Sequence, residues 1–165
     1  MYILDYHRQI ALIREMTVLR KDDENWVVYY HHPSTNEMWK SYFPRSNGNR
    51  RGPKILRTEP VPENIGDQLD QCLKSDVEEN AIGLGIEMSV NPARWHAIIS
   101  HLEENYRKYS RKQLKLYLES LGIANWKKIL EELKKDPEDF GLTEKEFRQL
   151  SWRARKIRFK RFWFI

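Results

Sequence analysis

Five histidines, His7, His31, His32, His96 and His101, are the side chains of this sequence best suited to proton transfer or metal ligation near neutral pH. Their spacing argues against both. His31 and His32 are adjacent on an expected strand and so point to opposite faces, which prevents them from chelating one ion. His96 and His101 are five apart on an expected helix, one residue beyond the spacing that stacks two rings on one face. His31 or His32 with Glu37 across a hairpin is the one pair that could serve a hydrolase or nuclease, and almost any hairpin offers such a pair. The sequence has no Cys-x-x-Cys or His-Glu-x-x-His pattern. Neither Gly83-Leu-Gly85 nor Asn47–Gly52 follows a strand and opens a helix with the glycine spacing of a phosphate loop. Cys72 lies on an apolar helical face and reads as core rather than nucleophile. The residues therefore predict no catalytic group, no metal, no cofactor and no small-molecule substrate.

What the chain concentrates instead is the chemistry of binding. Trp26, Tyr29, Tyr30, Trp39, Tyr42 and Phe43 crowd into residues 25–57, together with Pro33, Pro44, Pro53, Gly48 and Gly52. Rigid rings at this density carry the large contact areas that dominate protein interfaces. The bland reading of Trp26, Trp39 and Phe43 is the core face of a sheet, and it is expected to hold for at least half of them. Arg50 and Arg51 lie in a Gly/Asn loop that can hardly bury them and are the better candidates for direct contact, with Arg45 just ahead of that loop.

Charge is distributed unevenly. Residues 1–109 hold 14 Lys/Arg against 16 Asp/Glu and residues 110–165 hold 15 against 8, so the net +5 divides into −2 and +7. A basic tail on a near-neutral body suggests an anionic partner. Within residues 111–135 the cations are interleaved with acids and read more simply as solvated helix faces. From Ser151 to the end, Arg153, Arg155, Lys156, Arg158, Lys160 and Arg161 alternate with Trp152, Phe159 and Trp163. Three readings of that segment follow, in this order: a helix burying Phe147, Leu150, Ala154 and Ile157, a dock for an acidic protein, and a nucleic-acid contact in which cations meet phosphates and rings stack on bases. The expected partner contacts there are Arg155 and Arg158.

The elements that must position these groups are legible from periodicity. Ile3, Tyr6, Ile10, Ile13 and Thr17 fall near one face of a helix expected over 2–20. Trp26–Tyr30 and Met38–Phe43 read as antiparallel strands joined by the turn Pro33-Ser-Thr-Asn, with Ile55–Thr58 as a third short strand. Beyond Pro62 the pattern turns helical: Glu63–Leu73, a helix capped by Ser75 or Asp76 and running to about Val90, one opened by Asn91-Pro92, one from Ser110 to Gly122, one capped by Asn125, and a last opened by the capping box Thr143/Glu146. The whole predicts an α+β protein: residues 1–62 as a helix with a small antiparallel sheet, and residues 63–165 as a helical part packed on it. At 165 residues, with mean hydropathy −0.78, one cysteine, no apolar run of membrane-spanning length and no signal-like start, it is expected to be cytoplasmic and not membrane-bound.

The aromatic block resembles the immunity protein 27 family of bacterial polymorphic toxin systems. The resemblance rests on Trp26, Tyr30, Pro33, Trp39, Phe43-Pro44, Ser46, Gly52-Pro53 and Leu56, at matching intervals without a gap. It covers about a fifth of the chain. Where the family has His-Gly-Gly in its loop, this chain has Asn49-Arg50-Arg51, and His32 stands where the family has Asp before proline. The resemblance implies a cytoplasmic inhibitor that neutralises a cognate toxin domain, as in contact-dependent inhibition, by stoichiometric binding without catalysis. Trp26, Tyr30 and Trp39 would then supply anchors, and Arg45, Arg50 and Arg51 bidentate pairs with toxin carboxylates. The alternative from the residues is a nucleic-acid-binding accessory protein working through residues 153–163.

Overall fold

The computed structural model describes residues 1–47 and 51–163, the last three by backbone alone. The chain is α+β and divides into two compact units, Met1–Pro62 and Glu63–Ile165.

The first unit is a five-stranded antiparallel sheet with one helix. In chain order the elements are β1 (Tyr2–Ile3), α1 (Tyr6–Arg14), β2 (Thr17–Asp22), β3 (Val27–His32), β4 (Glu37–Tyr42) and β5 (Ile55–Glu59). Strand order across the sheet is β1-β5-β4-β3-β2. The helix expected over 2–20 is shorter at both ends. Asp5 caps it by accepting from Arg8 N at 2.8 Å, and it stops at Arg14. Thr17–Asp22 is a strand because β3 offers it a ladder, with Thr17 opposite His31, Val18 opposite Tyr30 and a bulge before Arg20.

Trp26 also departs from the expected strand: its φ of 52° places it in the turn before β3. Asn25 holds that turn from the other side, its backbone and side chain donating to the Asp22 carboxylate at 3.1 and 2.9 Å. The β3–β4 turn forms where Pro33-Ser-Thr-Asn predicts it. Asn36 takes the left-handed conformation at φ 58°, which asparagine tolerates, and its N–H returns to His32 O at 2.8 Å.

Alternation then sorts the sheet's side chains. Ile3, Tyr30, Trp39 and Leu56 form a buried cluster completed by Leu12, Ile13, Met16 and Val28. The residues next to these along each strand, Tyr2, Tyr29, Lys40 and Arg57, fall on the opposite face.

The second unit is helical: α2 (Ile65–Leu73), α3 (Glu78–Ser89), α4 (Trp95–Asn105), α5 (Arg111–Leu121), α6 (Trp126–Leu133) and α7 (Glu144–Trp163). Most predicted boundaries rest on local chemistry that forms. Ser110 accepts from Gln113 N at 3.1 Å, Gly122 ends α5 at φ 71°, and Glu146 and Thr143 bond reciprocally at the start of α7. Three caps differ. Ser75 does not cap α3 directly; its hydroxyl accepts from Val77 N and the Asn80 side chain just ahead of the helix. Pro92 opens a 3-10 turn that precedes α4, and Asn125 makes no side-chain cap bond to α6.

The core of this unit centres on Phe147, fully buried, stacked on Trp126 at 4.8 Å and edge-on to Trp95 at 5.6 Å. Nearby, α3 lies so close to α5 that a Cβ on Gly85 would sit 2.8 Å from Tyr117 O and 3.0 Å from Leu121 N. An exposed helical Gly→Ala change gains about 1 kcal/mol of propensity. Here the clash is with backbone, so Gly85→Ala is expected to destabilise by about 1–2 kcal/mol, read as a lower denaturation midpoint.

Candidate partner-binding surfaces

The face of the sheet turned away from α1 carries an ordered row of cations and rings. Strand register sets Arg20, Tyr29, Lys40 and Arg57 side by side across β2, β3, β4 and β5. Arg20 lies 6.0 Å from the Tyr29 ring, Lys40 Nζ 5.7 Å from Tyr29 and 4.5 Å from Tyr42, and Arg57 5.6 Å from Tyr42. Arg57 also donates to Tyr42 Oη at 3.4 Å and pairs with Glu59 at 3.1 Å. Exposure rises along the row: Arg57 is buried, Tyr29 and Lys40 are half-buried, and Arg20 is open. Rings that hold cations in place lower the entropy those cations lose when they meet carboxylates.

At one end of the sheet Trp26 continues this chemistry. Its ring is half-buried, edge-on to Phe43 at 6.3 Å, with the exposed Arg51 guanidinium 4.4 Å above it. A guanidinium stacked on a ring keeps its in-plane donors for a planar anion. Gly52, at φ 66°, lies against Arg45: a Cβ there would come within 3.3 Å of the Arg45 Cβ. Arg45 is half-buried and engaged within the fold. Arg50 and Asn49 lie outside the described residues.

Two expected anchors are corrected. Tyr30 is 7% and Trp39 1% exposed, both inside the cluster beneath α1. A ring already packed on all sides has no area left to give a partner, so these two residues belong to the core of the sheet and are not surface anchors. Burial accordingly raises the Tyr30 hydroxyl above its ordinary pKa. The residues that sequence reasoning did not single out are Arg20, Tyr29, Lys40 and Tyr42. The alternation that buries Tyr30 and Trp39 was the available signal for Tyr29 and Lys40, whereas Arg20 was hidden by the helical reading of residues 2–20.

The hairpin histidines are engaged within the first unit, where His32 Nε2 also lies 3.5 Å from the Glu15 carboxylate. His31 Nε2 lies 2.8 Å from Asn36 Oδ1, and the buried His32 accepts from Thr35 N at 3.3 Å. Glu37 accepts from the Thr35 hydroxyl at 2.9 Å. The contacts among residues 31–37 brace the β3–β4 turn. Cys72 is buried, which pushes its thiol up to about 11. Among the described residues no three His, Cys, Asp or Glu side chains converge as a metal site, and no helix is long and apolar enough to cross a membrane.

In the second unit, a half-buried relay links α2, α4 and the segment just before α5. Tyr109 donates to Asp70 Oδ1 at 2.7 Å, so its 2.9 Å contact with His101 is an Nε2–H donating to the phenol oxygen. Lys74 donates to the same carboxyl group at 2.6 Å, and it, followed by Tyr109, holds Asp70 below the usual carboxylate range. A depressed folded pKa contributes stability above the unfolded value and loses it as pH falls through the folded one. Stability is therefore expected to fall below about pH 4. Asp70→Asn should remove about 1 kcal/mol at pH 7 and flatten that acid limb, as read by urea unfolding across pH.

α7 presents the other charged surface. Phe147, Leu150, Ala154 and Ile157 are buried, as the helical spacing predicts. Arg155 is exposed, and Arg158, also exposed, pairs with Glu119 at 3.1 Å. Arg153 grips Glu103 in a fork at 3.0 and 2.7 Å, which lowers the pKa of that carboxyl. Trp152 stands 55% exposed with Lys156 Nζ 3.4 Å above its ring.

No protein-family model, no curated protein and no solved structure matches this chain.

Proposed function

We propose that the chain is an immunity-type inhibitor: a protein that binds a toxin domain one-to-one and blocks it without chemistry of its own. The supporting observation is the row Arg20–Tyr29–Lys40, with Tyr42 beside it, on the face of the sheet that α1 leaves uncovered, together with Arg51 held on Trp26 at one end of the sheet. Cations fixed on rings suit a partner surface that offers carboxylates, and rigid tyrosines add contact area at low entropic cost. The resemblance of residues 25–57 to the immunity protein 27 family points to a toxin as that partner. The partner's contact patch is then acidic, with at least one carboxylate seated against Lys40 and another against Arg20.

Co-expression tests this. Cells producing a toxin encoded beside this chain's gene should survive when the chain is present in equimolar amount and die without it. Survival requiring only trace amounts of the chain would indicate turnover and defeat the reading, as would killing that the chain does not alter.

A further inference from the structure

We propose that the outward side of α7 binds single-stranded nucleic acid, independently of the sheet surface. With Phe147, Leu150, Ala154 and Ile157 turned inward, helical periodicity sets Trp152 and Phe159, two turns apart, on one line along the opposite side. Both side chains are exposed, at 55% and 59%, and one face of the Trp152 ring carries Lys156 Nζ at 3.4 Å. The same periodicity lays Arg153, Lys156 and Lys160 along one flank of that line and Arg148, Arg155 and Arg158 along the other. From Phe147 to Trp163 the sequence of α7 contains no acid.

The two flanks are partly pre-organised and partly unsatisfied. Arg148, Arg153 and Arg158 are oriented by Glu144, Glu103 and Glu119 at 3.0, 2.7 and 3.1 Å. Arg155, Lys156 and Lys160 make no ion pair among the described residues. On the Lys156 side, Tyr106, Trp152, Arg153, Lys156 and Lys160, with Ile157 and the Glu103 carboxylate that Arg153 neutralises, line a groove of about 120 Å³. Rings along the middle and cations on both sides match a strand whose bases stack while its phosphates lie to either side. A carboxylate patch on a protein answers the cations and makes no use of the exposed aromatic surface of Trp152 and Phe159. A membrane-surface helix needs a continuous apolar side facing outward, and the apolar side of α7 is buried.

The test is fluorescence anisotropy with a labelled oligo(dT) of about 12 nucleotides, within the usual site sizes for such proteins. Binding should weaken with salt, the slope of log K against log salt falling at about −2 for three unpaired cations on a single strand. Trp152→Ala should weaken binding about 10-fold, and Lys156→Glu with Lys160→Glu about 100-fold, in proteins whose melting curves stay intact. Arg20→Glu with Lys40→Glu should leave it unchanged, which separates this site from the sheet surface. Absence of binding at low salt would overturn the proposal. So would equal affinity for poly-glutamate or for anionic phospholipid vesicles, or binding indifferent to all three α7 substitutions.

Discussion

Arg20→Glu combined with Lys40→Glu is expected to cut affinity for the proposed toxin partner about 100-fold, or ~2.7 kcal/mol, in calorimetric titration. The size follows from position. Arg20 is open at the edge strand β2, and its reversal should mainly slow association and change its salt dependence. Lys40 is half-buried between two tyrosine rings at 5.7 and 4.5 Å, so a carboxylate placed there meets both the ring faces and the partner's acids. The fold should lose only about 1 kcal/mol from the broken cation–π contacts. A far larger loss of binding than of stability is the signature of a docking surface. Equal losses of both would mean the row exists to hold the sheet together.

Phe147→Ala is expected to cost about 3–5 kcal/mol of stability, the largest single effect predicted in the second unit, measured as a shift in the denaturant midpoint at constant slope. Phe147 is fully buried between Trp126 and Trp95, two large rings that cannot close over the space a phenyl leaves. Its neighbour on the same turn, Leu150, is equally buried, so the cavity has no route to solvent through that side. The variant should still bind the proposed toxin partner at low temperature, since no residue of the sheet's cationic row belongs to α7. Loss of binding in a folded Phe147→Ala protein would place the docking surface elsewhere.

The fold was legible where local chemistry decides it. Ser110, Gly122 and the Thr143–Glu146 pair each satisfy backbone groups within one turn, so their neighbours in sequence suffice. The β3–β4 hairpin was legible for the same reason, its turn being set by Pro33 and Asn36. β2 was not. Residues 2–20 carry a helical apolar period, and only the ladder to β3, a contact the local pattern does not contain, makes Thr17–Asp22 a strand. That one misreading concealed Arg20.

The proposed docking surface was legible as a composition and only partly as a geometry. Alternation says that Tyr29 and Tyr30 point oppositely, as do Trp39 and Lys40, but the sequence does not say which face α1 will cover. Once α1 takes the face with Tyr30 and Trp39, the apparent anchors become core and the modest Tyr29 and Lys40 become surface. Arg51 was read correctly as an exposed cation. Its placement over Trp26 depends on the left-handed turn at Trp26, which no spacing rule announces.

The most direct measurement is toxin neutralisation by purified protein titrated against a fixed amount of toxin, comparing wild type, Arg20→Glu/Lys40→Glu and His31→Ala/Glu37→Ala. Inhibition that ends sharply at one equivalent, is lost in the first variant and is kept in the second is the predicted result. Inhibition that proceeds at sub-stoichiometric protein, survives the charge reversal and disappears with His31 and Glu37 would show a reaction centre where a docking face has been described.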